Sequence, residues 1–347
     1  MQRIQLAEGH EISRILKGHW QVAGGHGAID QAQAIEDLFA FVDSGITTFD
    51  CADIYTGAEE LIGAFLKQYE ERYGTEARKL IKVHDKFVPD LAMLPDVSME
   101  YVESIIDRSL ERLGLDAIDL VQFHWWDYSV ARYIETVGYL KQLQDKGKIR
   151  HIGVTNFDLA HLNEILDSGV TLVSAQIQYS VLDQRPEGAF AKFCAAHNIK
   201  LLCYGSLAGG FLGERYLGAV EPMEPLENRS LIKYKLIIEE FGGWSAFQKL
   251  LSALHEIGHK HNVSLANVAM RYVLDKPTVA GIIVGARNSS HLADIVKVFD
   301  FELDADDMKQ IQLMIESAHK IPGEVYELER DKNGRHGSIM KYNLNKK

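Results

Sequence analysis

Four residues able to hold or move a proton stand at, or just past, the ends of apolar, β-branched runs. Asp50 and Tyr55 lie in "ITTFDCADIY", Lys86 in "LIKVHDKF" and His124 in "DLVQFHW". A phenol titrates near about 10 in water, so a tyrosine is a weak acid at neutral pH until a neighbouring cation stabilises its phenolate. Lys86 could be that cation. A lysine at the end of an apolar strand itself needs a counter-ion or a depressed pKa, and Asp50, on the preceding strand, could supply the charge. His124 could orient a carbonyl oxygen or share the proton transfer. Together the four describe a site that protonates or deprotonates an oxygen.

Other chemistries find no support in the sequence. No GxSxG, HExxH or GxxxxGK[ST] motif is present, which leaves acyl transfer, zinc hydrolysis and P-loop phosphoryl transfer without their residues. Cys51, Cys194 and Cys203 are too few for a disulfide framework and show no metal-ligand spacing. They point to a reducing compartment, hence a cytoplasmic protein. The net charge of −12 opposes binding to nucleic acid or to an anionic membrane surface, and no apolar run reaches the length of a membrane span.

The elements that must carry these residues alternate along the chain. Apolar runs at 14–20, 47–52, 80–87, 119–125, 150–157, 172–179, 200–206 and 279–286 read as strands. Helical patterns at 31–44, 58–73, 98–113, 131–146, 158–168, 187–197, 247–261 and 289–299 separate or follow them. Eight βα units in roughly 290 residues match a closed (β/α)8 TIM barrel, a single domain spanning 1–347, in preference to an open doubly wound sheet. In such a barrel the C-terminal strand ends share one face, where active sites are built. Asp50, Lys86, His124, Asn156, Gln176 and Tyr204 all fall at such ends. Outside the repeat lie an N-terminal segment, "RIQLAEGHEISRI", patterned as a β-hairpin closing the barrel bottom, a long insertion at 207–246, and an extension beyond 302. That extension opens with an acid-capped helix and ends in a polar tail that reads as solvated.

The pattern resembles the aldo-keto reductase family. It is carried by "FDCADIY", "KVHDKF", "DLVQFHW", "GVTNF", "AQIQYSVLD", "YGSLAGGFL" and "IIVGARNSSHL", in family order over most of residues 12–300. The resemblance implies an oxidoreductase that passes a hydride between a nicotinamide cofactor and a small carbonyl or alcohol, an aldehyde, ketone or sugar. Tyr55 would be the proton donor, Lys86 held by Asp50 would lower its pKa, and His124 would position the carbonyl. Cofactor contacts would come from Trp20, Thr155, Asn156, Gln176 and Tyr204, with Tyr204 stacked on the nicotinamide. Gly205, Ser206, Leu207 and Gly209 would offer backbone N–H groups to the pyrophosphate, and Gly285, Arg287 and His291 would meet the adenosine end. Arg287 favours NADP(H), and NAD(H) remains compatible. The sequence departs from the family at Gly205–Ser206, where serine and proline are usual, and at Gly285 and Ala286, where some members place lysine and serine.

Two other classes fit some of the same residues: a cofactor-binding regulatory subunit with little turnover, like the potassium-channel β subunits that the family also contains, and a Schiff-base aldolase built on Lys86. Taken alone, Asp53 reads as a cap for the turn before the helix at 58. Trp20, Trp125, Trp126 and Tyr128 would line the substrate pocket. Specificity would reside in the loops 20–28, 87–97, 125–130 and 207–246 and in the tail, which the resemblance implies folds over the pocket; tryptophans mixed with His26, Asp127 and Tyr128 suit a sugar or other polyhydroxy carbonyl and equally a hydrophobic aldehyde.

Overall fold

The apolar runs pair in register because their side chains are buried on both faces, as a parallel sheet wrapped in helices requires. The computed structural model describes residues 1–23, 29–223 and 225–345. His26 lies outside them. An antiparallel hairpin, β1 (Arg3–Ala7) and β2 (His10–Ser13), turns at Gly9, whose φ of +70° is open to glycine. Its Leu6 and Ile12 pack on Leu16, Leu120, Leu202, Ala280 and Ile283, so the hairpin closes the lower end of the barrel as expected.

The barrel strands are β3 (Ile15–Gly18), β4 (Thr48–Asp50), β5 (Lys82–Phe87), β6 (Ile118–Phe123), β7 (Ile149–Thr155), β8 (Ser174–Gln178), β9 (Lys200–Tyr204) and β10 (Val279–Gly285). Each pairs with the next in parallel, and β10 pairs with both β9 and β3, which closes the ring. All eight expected strands are therefore present, in the (β/α)8 arrangement. None of the helices is long and apolar enough to cross a membrane, among the described residues.

Three differences from the sequence expectations concern helices and tail. A helix at Leu265–Leu274, capped by Ser264, precedes β10; its valine-rich run hid a helical period. The expected helix at 289–299 is two short turns, Leu292–Ile295 and Val296–Phe299. The third is the tail, whose polar pattern reads as solvated, whereas the family resemblance implies C-terminal residues folded over the pocket. After the helix Ala305–Glu316, which has the expected acid cap at Asp304 and Asp307, the chain returns across the barrel mouth with few regular bonds. It is anchored by Arg185–Glu329 pairing, by Leu91 N–H donating to the Tyr342 carbonyl, and by Asn345 on Val88. The insertion carries a helix at Arg229–Phe241 that also lies over the mouth.

Candidate active site

Asp50, Lys86 and His124 come together because period-2 alternation turns every second residue of a barrel strand inward. Lys86 Nζ lies 2.6 Å from Asp50 Oδ2 and donates to the Cys51 carbonyl at 2.6 Å. The other Asp50 oxygen accepts from Gln122 at 3.0 Å and from Gln176 at 2.6 Å, and Gln176 also reaches Gln122 Oε1 at 2.9 Å. Burial opposes the Lys86 charge, but the facing Asp50 outweighs it and the lysine is held protonated above its usual value. Gln122 was absent from the expected set, although it stands two residues before His124 and so shares its face.

Tyr55 follows in the loop after β4, its ring 5.1 Å from Lys86 Nζ and 5.1 Å from the Trp20 ring. The expected lowering of its pKa by Lys86 is overridden. Burial pushes the phenol up to about 12, and the lysine only moderates that rise. Tyr55 thus keeps its proton throughout the neutral range, with the Lys86 cation beside its ring.

His124 is buried and neutral. Burial, with Arg330 nearby, lowers its pKa to about 3. A neutral ring donates from one nitrogen only, and the Thr155 carbonyl, 3.2 Å from Nδ1, is an acceptor; we therefore assign the proton to Nδ1. Nε2 then presents a lone pair and has no protein partner among the described residues. Trp126 stands edge-on to the imidazole at 4.2 Å, and Tyr326, from the tail, at 5.7 Å. No periodic pattern in the sequence around Tyr326 marks it as a residue of the site.

The residues linked to a cofactor by the resemblance lie near or beyond the C-terminal ends of β3, β7, β8, β9 and β10. Thr155 ends β7, and Asn156 follows in the left-handed region at φ 63° with its side-chain oxygen accepting from Tyr204 at 2.7 Å. Gln176 has its amide nitrogen engaged by Asp50 and Gln122, so it braces the carboxylate. After Tyr204 the backbone runs through positive φ at Gly205, Ala208, Gly209 and Gly210. A Cβ at Gly205 or Gly209 would collide with Tyr234 of the helix Arg229–Phe241, so glycine there permits the helix to cover the loop. Ser206 is buried, and Leu207 accepts from Gly210 N–H in a turn. Gly285 lies under the Gln21 side chain, and Arg287 and His291 are exposed on the loop after β10. Asp294, three residues beyond His291, accepts from the Ser264 hydroxyl.

Not every expected residue faces this space. Trp125 is wholly buried, its indole N–H shared between the Asp127 and Val130 carbonyls at 3.0 Å, so it belongs to the core and lines no pocket. Tyr128 stacks on His161 at 3.4 Å and accepts from Arg330 at 2.6 Å, which makes it an anchor for the tail. Asp53 does not cap the helix after it. Both its oxygens accept from Val88 N–H, and Asn345 of the tail donates to Oδ2 at 3.3 Å.

A family model described as the aldo/keto reductase family matches residues 14–316. The chain belongs to that family. Similar curated proteins include the aldo-keto reductase YhdN of Bacillus subtilis (strain 168), 28% identical over 90% of this chain and 93% of that protein. A chloroplastic pyridoxal reductase of Arabidopsis thaliana is 30% identical over 84% of this chain and 78% of its own length. An NADH-specific methylglyoxal reductase of Escherichia coli (strain K12) is 25% identical over 89% and 96%. Among solved structures, the glycerol dehydrogenase AKR11B4 of Gluconobacter oxydans aligns with a TM-score of 0.77 at 22% identity, covering 93% of this chain and 97% of that one, and shares the barrel. As an aldo/keto reductase this protein falls among nicotinamide-dependent oxidoreductases of small carbonyl compounds.

Proposed function

We propose that the protein interconverts a carbonyl and an alcohol using NADP(H), with NAD(H) as a possible substitute, and that Tyr55 handles the proton. The observation that carries this reading is the buried Asp50–Lys86 pair set against the Tyr55 ring, facing a neutral His124 whose Nε2 is open. The residues fit a nicotinamide dinucleotide: a tyrosine ring ends β9, a loop of left-handed glycines follows it, and an unpartnered buried nitrogen faces the same space. Such a cofactor, when bound, supplies or takes up the hydride. Tyr55 donates its proton to the substrate oxygen, and Lys86 stabilises the phenolate left behind, itself held charged by Asp50. His124 Nε2, with the proton on Nδ1, can accept from the hydroxyl of the alcohol but cannot donate to the carbonyl oxygen, so it orients the alcohol and not, as expected, the carbonyl. Tyr204 and the Gly205–Gly210 backbone would hold the cofactor, with Arg287 as the cation for a 2′-phosphate.

A Schiff-base role for Lys86 is disfavoured, because a nucleophilic amine must be neutral and this one is paired with Asp50 and bonded to a carbonyl. The test follows NADPH and NADH consumption by absorbance across a panel of aldehydes, ketones and sugars, beside Tyr55→Phe. Turnover lost in the variant with cofactor binding retained is the expected result. A wild type that binds cofactor and reduces nothing, or a Tyr55→Phe variant as fast as wild type, would overturn it.

A further inference from the structure

Lys233 has no role in the chemistry above, yet its head group stands over the barrel mouth. It lies on the helix Arg229–Phe241, which the glycines at 205 and 209 allow to approach closely. Its Nζ sits 4.9 Å from the centroid of the Tyr204 ring, 5.6 Å from Tyr234 and 5.9 Å from Tyr326. Tyr326 is the same ring that stands edge-on to His124, so the ammonium and the imidazole share a wall. Among the described residues no carboxylate or carbonyl lies within hydrogen-bonding distance of this nitrogen. Glu329 attracts it from further away, but both Glu329 oxygens are held by Arg185, at 3.1 and 3.2 Å.

An ammonium carries three donors and is costly to desolvate without acceptors. Three aromatic faces compensate only in part, since a cation–π contact contributes on the order of 1 kcal/mol. One helical turn earlier, Arg229 lies on the same face, 5.7 Å from the Trp20 ring that abuts Tyr55. A chain with a net charge of −12 therefore sets two cations over the barrel mouth, beside the rings of Trp20 and Tyr204. A surface lysine would be satisfied by water; this one is half-buried and confined by aromatic rings.

We propose that Lys233 binds an anionic group of the substrate, so that the preferred carbonyl compounds carry a carboxylate or phosphate in addition to the reacting carbonyl. The proposal rests on the reductase reading for its substrate and on the geometry of Lys233 for the charge. The Tyr326 wall shared with His124 favours the substrate over the cofactor phosphates as the source of the anion.

The test uses the full-length protein and a matched pair, 4-carboxybenzaldehyde and the neutral, isosteric 4-carbamoylbenzaldehyde, with wild type, Lys233→Met and Lys233→Arg. Wild type should favour the charged aldehyde in kcat/KM on the order of tenfold or more, as a charge-assisted hydrogen bond allows. Lys233→Met should bring that ratio close to unity, and Lys233→Arg should retain part of it. NADPH affinity, read by tryptophan fluorescence, should be equal in all three. Calorimetry with benzoate, which cannot be reduced, supplies an arm independent of turnover: wild type should bind it and Lys233→Met should not. If neither aldehyde is reduced but benzoate binding follows Lys233, the reductase reading fails and the anion site stands. A wild-type ratio near unity, an absence of benzoate binding, or a Lys233→Met variant that loses NADPH affinity while keeping the ratio would overturn the proposal. The last of these would assign the lysine to a cofactor phosphate.

Discussion

Lys86 Nζ and Asp50 Oδ2 are 2.6 Å apart with both side chains almost wholly buried. Such a pair offsets two desolvation penalties with one attraction, so removing a single partner leaves an uncompensated charge. Lys86→Met should therefore cost about 3–5 kcal/mol in urea unfolding and abolish turnover. The double variant Lys86→Met/Asp50→Asn removes both charges and keeps an amide oxygen for Gln122 and Gln176. It should recover much of the stability and none of the activity. A single variant as stable as wild type would show that the pair is not desolvated as described.

Tyr55→Phe separates the proton from the ring. The ring contact with Trp20 survives, so cofactor affinity and thermal stability should stay near wild type, whereas kcat should fall on the order of a hundredfold or more, as for loss of a general acid. Because burial holds the phenol up at about 12, reduction by wild type should be flat with pH across the neutral range. A rate that fell steeply through neutrality would mean that another group supplies the proton.

Asn156 combines two features that substitution can tell apart. Its φ of 63° is a left-handed backbone, and its side chain accepts from the Tyr204 hydroxyl. Asn156→Gly keeps the backbone relaxed and loses the acceptor, while Asn156→Ala loses both, at an added cost of about 1–2 kcal/mol for the left-handed alanine. Glycine should thus melt higher than alanine, with both variants showing weakened cofactor affinity. Equal melting temperatures would mean that the loop relaxes out of the left-handed conformation.

The tail is held at one point by four acceptors. Arg330 donates to the carbonyls of Trp125, Trp126 and Asn156 and to the Tyr128 hydroxyl, and its release should free Tyr326 from the wall beside His124. Arg330→Met should raise KM for aldehydes with a smaller effect on kcat, and it should make the segment beyond 317 cleavable by trypsin under native conditions. Unaltered KM and protease resistance together would count against the tail as part of the pocket.

The barrel and its central carboxylate network were readable because strands have a period of two and the ladder fixes which residues share a face. Asp50, Lys86 and His124 were each recognisable as a polar residue ending an apolar run, and Gln122 was recoverable by the same alternation from His124. The helix over Leu265–Leu274 was obscured by Val268 and Val273, which suit strand and helix alike. The parts that fold back over the mouth were legible only through the family resemblance and not in the local residue pattern. Tyr326, Arg330 and Asn345 reach the site through an irregular return of the chain, and nothing local in "VYELERDKNGR" says what it will cover. Trp125 and Trp126 show the same limit from the other side: of two adjacent aromatics at the end of one strand, one enters the core and the other stands beside His124, and only the pleat decides which.

The lower end of the barrel predicts how the fold responds to acid. His10, at the start of β2, lies 2.9 Å from His84 between their Nε2 atoms, and His151 stands 5.2 Å away between ring centroids. Lys82 and Arg150 add positive charge around them. Burial, reinforced by these cations, lowers the His10 pKa to about 3 and holds His84 well below its usual value. In the unfolded chain both titrate near about 6.5. Between those limits the unfolded state binds protons that the folded state refuses, so stability is complete above about pH 6.5 and falls as pH drops toward about 3. The melting temperature should accordingly decline on acidification through this window. His10→Gln keeps a hydrogen-bonding partner for His84 and cannot be protonated; it should melt near wild type at neutral pH and lose less on acidification. If the two proteins lose the same number of degrees between about pH 7 and 4.5, the acid sensitivity arises elsewhere, and the histidines under the hairpin are neutral for reasons that do not limit the fold.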